Sequence, residues 1–243
     1  MTQNKAIVSV LANVKHVSRA GSRTCRRDSS PASILVRCCV DEREARAAAA
    51  SCNHINQFSA YKSPKHKIWR QRVITWAFRD PFKLVVNEES RQLVRSLIST
   101  AFALWEDALG GRLEFQDASH FVNSEKGLTK PSGVDIDILF AKGIHGDKEA
   151  FDGKGNMVAH SGYPPQGILH LDADEDWSFD GSHGVDLRYV MIHEIGHLLG
   201  LRHSRKRSSI MSKYYRKLST GMRIPQVDVQ SIKRLYRAHD NNS

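Results

Sequence analysis

Apolar residues recur along this chain in two rhythms, and their alternation outlines an α+β domain. The run Val73-Ile74-Thr75-Trp76-Ala77-Phe78 has the β-branched and aromatic content of a strand. Further strands are predicted at Leu113 to Asp117, Val134 to Phe140, Met157 to Gly162 and Ile168 to Asp172. Between the first two, Asn87 followed by Glu88 and Glu89 is a helix start, and Val94, Leu97, Ile98, Ala101, Phe102 and Trp105 keep a helical stripe until Gly110-Gly111. A second helix is expected from about Leu187. A third follows Pro225, where Val229, Ile232 and Tyr236 share a face.

The second helix carries the most informative chemistry, His193-Glu194-Ile195-Gly196-His197-Leu198-Leu199-Gly200-Leu201-Arg202-His203. Residues four apart stand one above the other on a helix, so His193 and His197 can address a single ion. Gly200 can take the left-handed conformation that ends a helix, which turns the chain and brings back His203. Three protein ligands leave one tetrahedral position for water, the arrangement of a catalytic zinc site. Glu194 then lies beside the metal without ligating it, as a general base toward zinc-activated water requires.

This pattern, followed by Ser209-Ile210-Met211 as a Met-turn, resembles the metzincins. Ser204 after the third histidine resembles the matrixins, the matrix metalloproteinases. The resemblance runs from roughly Tyr61 to Tyr236, including the closing Asp228-Val229-Gln230-Ser231-Ile232-Lys233-Arg234-Leu235-Tyr236. It implies a metzincin/matrixin fold, a twisted five-stranded, mostly parallel sheet with three helices. It also implies a secreted zinc endopeptidase acting on extracellular-matrix or other extracellular proteins, with Met211 beneath the zinc and protein inhibitors of matrixins among the partners.

A second cluster supports the same resemblance. His145, Asp147, His160 and His170 match the matrixin ligands of a structural zinc, and four protein ligands close such a site. Asp152, Gly153, Gly155, Met157, Asp172 and Glu175 match calcium positions, where carboxylates and inward-turned backbone carbonyls supply the oxygens calcium prefers. The stretch Ser161 to Leu169 is shorter than the family loop and lacks its aspartate, which puts a second calcium site in doubt. Asp135 either contributes one ligand there or is an exposed residue of the alternating strand Val134 to Phe140.

Length fits one enzyme domain at 61–240 behind an N-terminal extension at 1–60. Residues 1–64 hold ten basic against four acidic residues within a total formal charge of +10, so basic charge is densest in the extension. Its composition suits a truncated or degenerate propeptide. All four cysteines, Cys25, Cys38, Cys39 and Cys52, lie there, so the enzyme domain needs no disulfide. Arg37-Cys38-Cys39 resembles the matrixin cysteine switch without its prolines and glycine. Cys38 is either that inhibitory zinc ligand or the partner of another cysteine. Ala6 to Val14 is mildly apolar, but Asn13, Lys15 and His16 weaken it as the core of a signal peptide, no stretch has the length of a membrane helix, and an end soon after Tyr236 resembles the minimal matrixins.

The resemblance also places substrate contacts. Ala159 lies on an edge strand that hydrogen-bonds extended substrate, and Tyr189 and Tyr215 line the pocket for the residue after the scissile bond. A tyrosine at 189 makes that pocket shallow. The basic run Arg202, Arg205, Lys206, Arg207, Lys213, Arg216 and Lys217 either attracts acidic glycans or is solvated loop charge. No nucleic-acid motif accompanies the basic pI of about 9.6, which excludes nucleic acid as the expected partner.

Overall fold

The computed structural model describes residues 68–240, apart from positions 86, 123–126, 148, 156, 217, 219 and 220. The extension, with Cys25, Cys38, Cys39 and Cys52, lies outside the described residues. Strand β1 (Val73–Arg79) leads to helix α1 (Glu88–Leu109), then β2 (Glu114–Asp117), β3 (Ile136–Ala141), β4 (Ala159–Ser161) and β5 (Ile168–Asp172). Two short strands, β6 (Trp177–Ser178) and β7 (Val185–Asp186), precede helices α2 (Leu187–Leu198) and α3 (Gln226–Asp240).

The main sheet has the order β2-β1-β3-β5-β4. Its first four strands run parallel, and β4 closes one edge antiparallel to β5. This is the five-stranded, mostly parallel sheet with three helices expected of the matrixin fold, and the strand and helix boundaries fall within a few residues of those predicted.

Local chemistry explains the helix limits. The Asn87 side chain accepts the Ser90 amide at 2.7 Å, and Glu88 and Glu89 in the first turn suit the positive end of the helix dipole. At the other end Gly110 adopts φ 67°, and its amide reaches back to the Asp107 carbonyl at 2.9 Å. The stripe Val94, Ile98, Ala101, Phe102 and Trp105 is buried against the sheet, where Trp76 stacks on Phe102 at 5.4 Å. Each such side chain contributes about 1.5–3 kcal/mol by leaving water.

Helix α2 is buried on all sides, with only Arg188 partly exposed. Asp186 caps it by accepting the Arg188 amide at 3.0 Å and gripping the Arg188 guanidinium at 2.8 and 2.7 Å. Two indoles tie it to the rest of the core. Trp105 donates to the Ile192 carbonyl and Trp69 to the Leu198 carbonyl, both at 2.9 Å. Helix α3 packs through Ile232 and Tyr236, with Val229 partly buried beside them.

The polar residue of β3 is paired inside the fold. Asp137 is fully buried and forms a bidentate pair with buried Arg79 of β1 at 2.7 and 2.6 Å. Arg79 also donates to the carbonyls of Gly127 and Thr129 at 2.8 and 3.2 Å, so the charge is satisfied inside the fold. Asp135, just before β3, accepts the Thr75 amide at 2.8 Å, the Thr75 hydroxyl at 2.9 Å and the Gln71 side chain at 2.7 Å. It is therefore not simply exposed, and those bonds pin the entry of β3 to β1.

Candidate metal centres and catalytic cleft

Helix α2 presents His193 and His197 one turn apart, as the period dictates. The helix ends at Leu198 with Leu199 as its cap, Gly200 adopts φ 101°, and the amides of Gly200 and Leu201 return to the carbonyls of His197 and Gly196 at 2.8 and 2.9 Å. That left-handed step carries the chain back toward the helix. A ligating atom from each of His193, His197 and His203 then lies within 4.8 Å of the others.

Backbone carbonyls set the tautomers. His193 Nδ1 donates to the Ile210 carbonyl at 2.6 Å and His197 Nδ1 to the Leu201 carbonyl at 2.7 Å. A carbonyl only accepts, so the lone pair of each ring sits on Nε2. The Nε2 atoms of His193 and His197 are buried with no hydrogen-bond partner among the described residues. Burial pulls the His193 imidazole down to about 3 and holds His197 well below the usual histidine range. Both are neutral at physiological pH, the form that binds metal. Buried, neutral and convergent nitrogens fit a zinc ion.

The turn after the helix braces this group. Ser204 donates its amide to the Met211 carbonyl at 2.7 Å, and Asp228 of α3 accepts the Ile210 amide at 2.8 Å and the Ser209 hydroxyl. Met211 is buried directly against Gly196. Glu194 is buried beside the histidines, and its Oε2 accepts the Ser161 hydroxyl of β4 at 2.6 Å. Neither Ser161 nor Asp228 was singled out by spacing, since their partners lie 33 and about 18 residues away in sequence.

The second cluster forms where β4, β5 and the β3–β4 loop meet. Donor atoms of His145, Asp147, His160 and His170 lie within 4.8 Å of one another. One oxygen, Asp147 Oδ2, is 3.0, 2.7 and 2.8 Å from nitrogens of His145, His160 and His170. Because His145 Nδ1 donates to the Gly143 carbonyl at 2.7 Å, a neutral ring turns a lone pair from Nε2 toward that carboxylate. Nitrogens of His145 and His160 stand 3.4 Å apart, and those of His160 and His170 3.2 Å. With the His145 lone pair turned on a carboxylate oxygen and three further donors converging there, a cation at their centre fits the arrangement. Burial alone would raise the Asp147 carboxyl, but hydrogen bonds from His160 and His170 outweigh it and hold it far below the usual carboxylate range.

The calcium-matching residues gather at the next turn. Gly153 and Gly155 adopt φ 82° and 93°, and the Gly155 amide donates to Glu175 Oε1 at 2.5 Å. Burial, with repulsion from neighbouring carboxylates including Asp152, pushes both Asp172 and Glu175 up. Asp172 Oδ2 is buried with no hydrogen-bond partner among the described residues. An unmatched buried carboxylate oxygen amid like charges fits a divalent cation, and oxygen donors suit calcium. Met157 packs partly buried beside Leu139, Ala141 and Phe151.

Ala159 lies on β4 at the sheet edge, paired with Leu171. Tyr189 is buried, stacks on His193 at 6.1 Å and donates to the Tyr214 carbonyl at 3.2 Å. Tyr215 meets it edge-on at 5.0 Å, and the Tyr215 hydroxyl accepts the Asp186 amide at 2.8 Å. The basic side chains Arg202, Arg205, Lys206, Arg207, Lys213 and Arg216 are all exposed. Among the described residues, no helix is long and apolar enough to cross a membrane.

Comparison with known proteins agrees with this geometry. The sequence model of the matrixin family matches residues 68–237. Matrix metalloproteinase-16 of Homo sapiens is 34% identical over 178 residues, covering 71% of this chain and 28% of that protein. Metalloendoproteinase 2-MMP of Arabidopsis thaliana is 41% identical over 182 residues, covering 70% of this chain and 43% of its own. Karilysin of Tannerella forsythia is 37% identical over 153 residues, 60% of this chain and 29% of its own. The chain thus spans 28 to 43% of the length of these relatives.

Proposed function

Because the chain belongs to the matrixin family of zinc metalloendopeptidases, we propose that it hydrolyses internal bonds of extended extracellular proteins, matrix proteins among them, with Glu194 as general base. The observation that carries this reading is the convergence of His193, His197 and His203 beside a buried carboxylate on the same helix. A zinc ion held by those imidazoles would lower the pKa of its water to roughly 7 and polarise the scissile carbonyl. Glu194 takes the proton of the attacking water and returns one to the leaving amine. Ala159 and its edge strand align the substrate backbone by adding it to the sheet.

The other parts of the reading have structural or regulatory roles. His145, Asp147, His160 and His170 hold a second zinc that joins the β3–β4 loop to β4 and β5. Asp152, Gly153, Gly155, Met157, Asp172 and Glu175 hold calcium. Residues 1–60 act as a propeptide, with Cys38 as the blocking thiolate or as half of a disulfide. The protein works outside the cell, where protein inhibitors of matrixins would meet the same cleft.

Glu194→Ala tests the proposal on zinc-loaded protein with a fluorogenic peptide. Zinc content, read by mass spectrometry, stays at the wild-type level while kcat falls at least about a hundredfold, the scale of a lost general base. Hydrolysis that survives both this substitution and a zinc chelator would overturn the reading.

A further inference from the structure

We propose that Ser161 is a positioning residue for the reaction, because its buried hydroxyl donates at 2.6 Å to Oε2 of buried Glu194 and so sets the carboxylate that receives the proton. The inference rests on the proposed role of Glu194.

Strand alternation makes the contact. Successive residues of β4 point to opposite faces, so His160 turns to the second metal cluster and Ser161 turns to α2, against which β4 lies. The hydroxyl carries one proton. Its other acceptor within reach, the Glu194 carbonyl, is 3.3 Å away, so distance assigns the proton to the carboxylate.

A glutamate side chain has several rotatable bonds, and proton transfer requires one orientation of its oxygens. A donor fixed on a paired strand supplies that orientation before substrate arrives, and the ordering cost falls on folding instead of on the reaction. Both residues are buried, at 5% and 0% exposure, so water does not replace the hydroxyl cheaply. Alanine at 161 removes the donor and keeps the backbone pairing of Ser161 with Leu169.

Two readouts on the zinc-loaded full chain test this. In Ser161→Ala, kcat falls about tenfold, the factor for losing a hydrogen bond to a charged group, with KM unchanged. Ser161→Thr retains a hydroxyl and restores kcat. Independently of turnover, a hydroxamate, which chelates zinc and hydrogen-bonds an adjacent carboxylate, binds Ser161→Ala more weakly by a similar factor. That loss disappears when both are compared in a Glu194→Ala background, while zinc content holds steady throughout. Wild-type kcat and hydroxamate affinity in Ser161→Ala overturn the inference, as does a loss that Thr fails to rescue. If the zinc-loaded wild type cleaves no peptide, the endopeptidase reading falls, and the hydroxamate comparison alone decides the role of Ser161.

Discussion

Gly196 and Met211 touch through the space a side chain would need: a Cβ on Gly196 would lie 2.3 Å from Met211 Sδ and 3.1 Å from the Trp105 ring. The glycine inside α2 thus answers to packing, and helix propensity opposes it. Gly196→Ala would gain about 1 kcal/mol from propensity. Overpacking costs roughly 1–3 kcal/mol, and a contact this short beside a fully buried indole puts the cost at the upper end. We expect net destabilisation, seen as a Tm lower by several degrees. Met211→Ala combined with Gly196→Ala should cost less than the two separately, since the clash is relieved. Additive costs in thermal denaturation would place the strain elsewhere.

Acid should destabilise the metal-free protein. His193 is held down to about 3 in the fold by burial, whereas an unfolded histidine titrates near about 6.5. Between those values the unfolded chain binds a proton that the folded chain does not, so stability is complete above the upper value and declines as pH falls toward the lower. His197, also depressed, adds in the same direction. The Tm of metal-free protein, followed by circular dichroism, should fall steadily below about pH 6.5. A flat profile through that window would contradict the burial of these rings.

Calcium should act on stability and not on zinc. Burial and mutual repulsion push Asp172 and Glu175 up, and a bound divalent cation removes both penalties. Added calcium is expected to raise Tm, by about 2.7 kcal/mol of stabilisation at a hundredfold excess over Kd. Glu175→Ala should abolish that shift and leave zinc content unchanged. A calcium effect of wild-type size in Glu175→Ala would move the ion to other ligands.

On the proposed reading, Tyr189, which stacks on His193, bounds the pocket for the residue after the scissile bond. Peptides with leucine after the scissile bond should therefore be cleaved faster than those with biphenyl-type side chains. Tyr189→Ala should narrow or reverse the preference, and a library profile identical in both proteins would remove Tyr189 from the pocket. Because the tyrosine is buried and its hydroxyl bonds the Tyr214 carbonyl at 3.2 Å, a fall in Tm accompanies the change.

What the chain determined by itself was the part of this protein that short-range geometry controls. The alternation from Val73, the Asn87 cap and the Gly110 stop set their elements through contacts within a turn or two. The helical period likewise placed His193 over His197, and Gly200 returned His203, all within eleven residues. The second cluster, spread from His145 to His170, was legible only through its likeness to a family, since no local rule brings a loop and two strands together.

Tertiary structure alone decided the rest. It buried Asp137 against Arg79, because a neighbouring parallel strand supplied a matching charge. It pinned His193 through Ile210 to Asp228, and it set the Ser161 hydroxyl on Glu194. These partners meet because sheet order and helix packing bring distant segments together. A hydrogen bond depends on angstroms in space, and residue spacing along the chain does not encode that distance.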